Sequence, residues 1–186
     1  MIEKNAIGEV AKIIKEGIII SANGFISRNL HGMADSNSNF YMIGSMGLAS
    51  SIGLGVSLKN PKKKIFIFDG DGNILMNLGS LTTIGTLQPK NLVHIIFDNS
   101  KHASTGGQPT NSKFIRIENI AKECGYKFVF RVETKEQLKN IIKKVKTLTG
   151  PTMILLKIKS GGKIGDRIEI SPIEIKKRFM KKLQEK

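Results

Sequence analysis

Five aspartates occur in this chain of 186 residues, and three of them, Asp69, Asp71 and Asp98, stand where short apolar runs end. The segment Phe68-Asp69-Gly70-Asp71-Gly72-Asn73 closes one such run and opens a helical pattern. Gly72 lets the backbone approach an anion closely, and the unpaired N–H groups of the helix that follows can meet a phosphate. Asp71 can hold a hard divalent cation. The next apolar run ends in Asp98-Asn99, with Asn99 lying 28 residues after Asp71. That spacing fits one strand–helix–strand step and brings Asp71 and Asn99 side by side at one sheet edge. A carboxylate, an amide oxygen and a backbone carbonyl form a sparse oxygen site, which Mg²⁺ accepts when phosphates and water complete its octahedron. The residue types therefore point to a Mg²⁺–diphosphate ligand.

Those residues need a scaffold. The runs 17–21, 39–44, 64–69, 92–98, 127–132 and 151–158 are short, β-branched or aromatic, and bounded by Gly, Asn, Pro or charge, so they predict buried strands. Helices are expected near 3–16, 47–59, 74–87, 115–124 and 134–148, the last with Leu138, Ile141, Ile142, Val145 and Leu148 on one face. A final helix opens at Ser171-Pro172-Ile173-Glu174, where Ser caps, Pro fits the first helical position and Glu is placed for a capping box. Strands alternating with helices imply a parallel sheet covered on both faces. The expected architecture is a three-layer α/β/α fold with a central, mainly parallel six-stranded sheet, forming one domain over residues 1–186. Residues 22–39, 99–114 and 159–170 are polar and read as loops. The first two follow strands directly, which puts them at the carboxyl edge, where open α/β folds bind ligands.

Composition narrows the classes. Apolar residues make up 40% of the chain and recur along its whole length, which argues against disorder. One cysteine, Cys124, excludes an intrachain disulfide framework and a Cys-rich zinc site, and reads as a small buried residue at a helix end. No apolar run reaches the roughly 18 residues of a membrane span. The opening MIEKNAIGEV is not a signal peptide, so a soluble, cytoplasmic protein is expected. The net charge is +15, of which +10 falls in residues 135–186. A basic nucleic-acid-binding module could use that region, but 25 of the 30 basic residues are Lys, and Arg is the better reader of phosphate. Such a module also leaves Asp71 and Asn99 unexplained.

Gly70-Asp71-Gly72, followed at this distance by Asn99 after an apolar strand, resembles the cofactor motif of the thiamine-diphosphate enzymes. The likeness extends further. Gly44-Ser45-Met46-Gly47 and LASSIGLGVSL resemble the segment under the aminopyrimidine ring in that family. LMNLGSLTTIGTLQPKNL and DNSKHASTGGQPT are similar to the sulfopyruvate and phosphonopyruvate decarboxylases. The Gly-rich turn, Arg167, Ser-Pro and a basic helix with Phe179-Met180 continue the pattern, so the likeness covers roughly residues 17–182. Its size and extent resemble the β-subunit type within those decarboxylases.

The resemblance implies a role for each matching residue. Asp71, the Asn99 side chain and the Lys101 backbone carbonyl would ligate Mg²⁺. Gly72 and Asn73 would hold the diphosphate through backbone N–H groups and the Asn73 side chain, with Gly70 in the same motif. Asn23 and Gly24 would reach the diphosphate from the other side. The Gly44 carbonyl, beside Ser45, would accept from the pyrimidine amino group, and Met46 would force the cofactor into its bent shape. The implied reaction is decarboxylation of a 2-oxo acid, with sulfopyruvate giving sulfoacetaldehyde and CO₂ on the route to coenzyme M, or phosphonopyruvate as the alternative substrate. The family's activating Glu sits on a separate pyrimidine-binding domain. Residues before 17 and after 160 leave no room for that domain, so an alpha subunit is expected to supply it in a hetero-oligomer. Two departures stand out: Asp98-Asn99 replaces an Asn-Asn pair, and Lys101-His102 replaces a small residue and a Tyr.

Rival readings exist. Phe68-Asp69-Gly70-Asp71-Gly72 also matches the nucleophile motif of haloacid-dehalogenase-type phosphatases, with Asp69 attacking phosphorus and Asp71 as acid/base. Against it, the motif lies mid-chain and no later acidic pair completes a metal site. Ile74 and Ser80 occupy the Gly and Glu positions that an EF-hand needs, and no Gly-Lys-Ser/Thr follows for a P-loop. Arg28 and Arg167 are candidate substrate-anion contacts or plain surface arginines. Ser104, Thr105 and Gln108 are candidates for substrate or subunit contacts. His102 is placed equally for substrate contact or surface exposure, His31 is a weak candidate, and His94, inside a strand, reads as a core residue.

Overall fold

A computed structural model describes residues 1–15 and 17–185, so Glu16, the expected end of the first helix, and Lys186 lie outside the described residues. Six strands form the central sheet: β1 (Ile18–Ser21), β2 (Asn39–Tyr41), β3 (Ile65–Gly70), β4 (Leu92–Asp98), β7 (Phe128–Val132) and β8 (Thr152–Lys157). Their order is β2-β1-β3-β4-β8-β7, and every pairing is parallel. A small antiparallel pair, β5 (Lys101–His102) and β6 (Gln108–Pro109), lies apart from it. The central strands β1, β3, β4 and β8 bury both faces, which explains their unbroken apolar runs.

Helices cover the two faces. On one, α1 (Glu3–Ile14) packs against α2 (Phe25–Ala34) and α7 (Lys135–Val145). On the other, α3 (Ala49–Lys59), α5 (Gly79–Leu87) and α6 (Ile117–Glu123) follow one another. The last helix, α8 (Pro172–Gln184), closes the β2 edge through Phe179, whose ring lies 5.3 Å from that of Phe40. Close approach of α3 depends on Gly53, where a Cβ would sit 2.4 Å from Ile67.

Three expectations change. Residues 22–39 are not one loop, because α2 lies within them and buries Ile26 and Leu30. The helix expected over 74–87 is two, α4 (Asp71–Leu75) and α5, since the chain turns at Met76–Leu78. At α8, Ser171 accepts from the Glu174 N–H at 3.2 Å, while the full capping box occurs instead at α7, between Thr134 and Gln137.

From β1 the chain moves outward to β2 and then returns to β3 on the other side of β1. The carboxyl ends of β1 and β3 are therefore followed by segments that diverge, leaving a crevice at the switch point. The chain start reaches the same rim. Ile2 bridges Lys159 in parallel, and the Lys159 N–H donates to the Met1 carbonyl at 2.8 Å. No helix among the described residues is long and apolar enough to cross a membrane.

Candidate functional site

The crevice holds an open cleft. Asn23, Met46, Gly70, Asp71, Gly72, Asn73, Asn99 and Lys101 line it, drawn from the ends of β1, β3 and β4 and from the loop before α3. The parallel register pairs Gly70 with Phe97, so the chain leaves β3 and β4 at the same level. Asp71 and Asn99 emerge side by side in the wall of the cleft. Gly24 stands beside the cleft, where a Cβ would meet the Ser104 hydroxyl at 3.0 Å. Gly44 and Ser45 lie on the far side of the rim, in a depression shared with Ile43, Pro172 and Ile175.

Asp71 is 2% exposed. It accepts from the Thr110 hydroxyl, and burial together with the charge of Asp98 pushes its carboxyl above the usual range. Glu3, from the first turn of α1, is also buried in the cleft wall. Its Oε2 accepts from Asn99 Nδ2 at 3.0 Å, and burial raises its carboxyl as well. Asn99 Oδ1 accepts from the Lys101 N–H at 2.8 Å, which fixes the amide and turns the Lys101 segment over the cleft. Asp98 is neutralised from beneath by Lys157 Nζ at 2.8 Å and accepts from the Ser112 hydroxyl at 2.9 Å, whose oxygen lies 3.0 Å from that of Thr110.

Buried carboxylates with too few cations beside them favour a bound cation. Among the described residues no three His, Cys, Asp or Glu side chains converge on one point, so a transition-metal centre is not built. One carboxylate, one amide and a carbonyl suit a hard ion that keeps water and phosphate ligands. The phosphate side fits too. The first N–H groups of α4 have no partner within the helix. A Cβ at Gly72 would lie 2.6 Å from the His102 ring, so only glycine leaves the backbone open under that ring. The residues present thus fit a Mg²⁺-bound diphosphate.

Asn73 is held differently. Its Nδ2 donates to Asp69 at 2.5 Å and its Oδ1 accepts from the Gly47 N–H at 2.8 Å, so the carboxamide ties two loops together. Asp69 itself has no exposure and accepts from Gly70 N, Asn73 and His94. It cannot reach a phosphorus atom, and this overturns the phosphatase reading. His94 is a core residue, bonded to Asp69 at 3.0 Å and to the Tyr126 hydroxyl at 3.1 Å.

The remaining candidates divide. His102, Ser104 and Thr105 line the cleft, whereas Gln108 is exposed outside it. Arg28 donates to the Gly165 carbonyl at 2.8 Å and lies over the Phe25 ring, so it fastens the 159–170 loop. Arg167 is exposed. His31 packs edge-on against Tyr41, away from the cleft. Cys124 is half-buried and unpaired. Sequence reasoning missed Glu3, Thr110, Phe25, Ile26 and Phe97. Glu3 carries no motif in the sequence, and the bridge between Ile2 and Lys159 brings it to the rim.

Residues 23–156 match the family model described as thiamine pyrophosphate enzyme, C-terminal TPP binding domain. A sulfopyruvate decarboxylase subunit beta of Methanocaldococcus jannaschii is 42% identical over 94% of this chain and 93% of that protein. Its counterpart in Methanothermobacter thermautotrophicus is 35% identical over 99% of this chain and 97% of that protein. A phosphonopyruvate decarboxylase of Streptomyces viridochromogenes is 38% identical over 91% of this chain, which spans only 43% of that relative's length. The chain therefore belongs to the thiamine pyrophosphate enzymes, as a TPP-binding domain of the decarboxylase group that contains the sulfopyruvate decarboxylase β subunits.

Proposed function

We propose that this chain is the β subunit of a thiamine-diphosphate-dependent decarboxylase that converts sulfopyruvate to sulfoacetaldehyde and CO₂, working with an alpha subunit that carries the pyrimidine-binding domain. The observation that carries the reading is the convergence of Asp71, Asn99 and Lys101 on one cleft at the switch point. In this reading Asp71, the Asn99 amide oxygen and the Lys101 carbonyl hold Mg²⁺, and the Gly72 and Asn73 N–H groups orient the diphosphate. Asn23 and Gly24 close the cleft from the β1 side, and Gly44, Ser45 and Met46 form the shelf for the ring system. Bound thiamine diphosphate supplies an electron sink for the pair released as CO₂ departs. His102 brings a proton-carrying group to the same cleft, and Phe25, Ile26 and Phe97 keep its wall apolar.

An anionic substrate suits the surroundings. A second, adjoining depression shares Glu3, Phe25, Lys101 and Ala103 with the cleft and adds Lys4 and Lys163. Sulfopyruvate is placed first on the similarity to the sulfopyruvate decarboxylase β subunits, at 35–42% identity over 94–99% of this chain, and phosphonopyruvate is the alternative substrate. The test is an assay of this chain, alone and with the co-purified second chain, on both keto acids. Turnover of sulfopyruvate that needs both chains and thiamine diphosphate is expected. Turnover by this chain alone contradicts the split site, and preference for phosphonopyruvate reassigns the substrate.

A further inference from the structure

A charged residue in a sheet core is costly unless something repays its desolvation. Asp69 and His94 are both fully buried on adjacent central strands, and the reaction uses neither. They belong to a chain of bonds that crosses the molecule. The Tyr126 hydroxyl, before β7, meets His94 Nδ1 at 3.1 Å. His94 Nε2 meets Asp69 Oδ2 at 3.0 Å. Asp69 Oδ1 takes the Asn73 Nδ2 donor at 2.5 Å, and Asn73 Oδ1 takes the Gly47 N–H at 2.8 Å. The chain closes without an orphan when His94 carries its proton on Nε2. The carboxylate then accepts three donors, and Tyr126 donates to Nδ1. Burial and the Asp69 charge hold the Tyr126 phenol well above its ordinary pKa, so it stays a donor.

The far end of this chain is informative. Asn73 and Gly47 sit on the two loops that flank the cleft, the one after β3 and the one before α3. Gly47 has φ +96° and Ser45, two residues earlier, φ +55°, so the shelf loop is held in a conformation that L residues rarely adopt. Besides Asn73, Asn77 reaches Gly47, donating to its carbonyl at 3.0 Å. Both backbone polar groups of Gly47 are thus pinned from the α4 side.

We propose that Asp69 and His94 are positioning residues, which act through Asn73 to lock the Gly44–Gly47 shelf to the Gly70–Asn73 loop at the spacing the cofactor requires. The proposal rests on the thiamine-diphosphate reading for the identity of the ligand and on the bonds alone for the lock.

The experiment uses the full chain assembled with its co-purified second chain and two readouts: amide hydrogen exchange at Gly47 without ligand, and the dissociation constant for thiamine diphosphate with saturating Mg²⁺. Asp69→Leu removes the acceptor for Asn73, and both exchange and dissociation constant rise by about tenfold or more, as for other outer-shell partners of a site. Asp69→Asn keeps an oxygen for Asn73 and presents its N–H to His94 Nε2; His94 then carries its proton on Nδ1 and the Tyr126 hydroxyl turns to accept it, so both readouts stay within about threefold of wild type. Leu138→Ala, in α7 on the opposite half, lowers the melting temperature but leaves Gly47 exchange at its wild-type rate. If Asp69→Leu does not fold, Tyr126→Phe replaces it, and a rise in both readouts by about twofold or more is expected. The proposal is overturned if Gly47 exchange is unchanged in the variant that folds, if Leu138→Ala changes it equally, or if Asp69→Asn loses as much as Asp69→Leu. Failure of the wild-type complex of both chains to bind thiamine diphosphate would instead defeat the cofactor reading, and the exchange data would still decide the lock.

Discussion

Two networks of buried polar groups lie side by side under the cleft, and they end differently. The Asp69–His94–Tyr126 network is closed, with a protein partner at every step. The Asp98–Lys157 network runs through Ser112 and Thr110 to Asp71, and there it opens onto the cleft. Asp69 and Asp71 are two residues apart and both buried, yet one is bonded within the protein and the other lines the cleft. Burial alone does not separate them. The count of donors does: Asp69 satisfies both oxygens within the protein, whereas Asp71 is left above its ordinary pKa with capacity for a cation.

The contrast is broken most strongly at its base. Lys157→Met leaves Asp98 buried beside Asp71 with no cation, and a loss of about 3 kcal/mol is expected in denaturant unfolding. Adding Asp98→Asn should recover much of that loss. If the double variant is no more stable than Lys157→Met alone, the pair does not act as drawn.

The fold was legible because its signals are local. Buried strands with β-branched runs, such as KIFIFD and LVHIIFD, announce themselves, and six of them separated by helical patterns dictate a parallel sheet. Helix α2 was hidden because Ser27, Arg28 and Asn29 dilute its apolar stripe, although Ile26 and Leu30 keep the helical spacing. At the site, Asp71 and Asn99 could be paired from one strand–helix–strand step. Thr110 and Glu3 could not. Thr110 arrives through a small antiparallel pair inside a polar loop, and Glu3 through a backbone bridge between the chain start and the end of β8. Asp69 shows the converse difficulty: its neighbours in sequence suggested a nucleophile, and only His94, from the next strand, reveals a strut.

The open end is sharpened at Thr110. Thr110→Val keeps the shape and removes the hydroxyl that Asp71 accepts from. The Mg²⁺ concentration needed for half-maximal cofactor binding should rise about tenfold, while the melting temperature of the ligand-free chain changes little. An unchanged Mg²⁺ requirement would show that Thr110 does not orient Asp71.

The smallest effect concerns pH. Burial raises the Glu3 carboxyl above its unfolded value, so the ligand-free folded state holds that proton more tightly than the unfolded state. The contribution of Glu3 to stability is therefore greatest below its unfolded pKa and declines as pH rises through the folded one. Glu3→Gln keeps an oxygen for Asn99 and removes this slope. Relative to wild type, the variant should gain stability as pH rises from the unfolded pKa of a glutamate through the raised folded one, read as a widening difference in melting temperature. A difference that is constant or narrows would contradict the assigned direction.

The most direct test is a calorimetric titration of thiamine diphosphate into the complex of this chain with its co-purified second chain, with Mg²⁺ and then with the metal chelated, for wild type and for Asp71→Ala. The account predicts saturable binding by the wild type that requires Mg²⁺ and is lost in Asp71→Ala while the variant remains folded. Equal binding by the two proteins, or wild-type binding indifferent to Mg²⁺, would contradict the placement of the metal and diphosphate at Asp71.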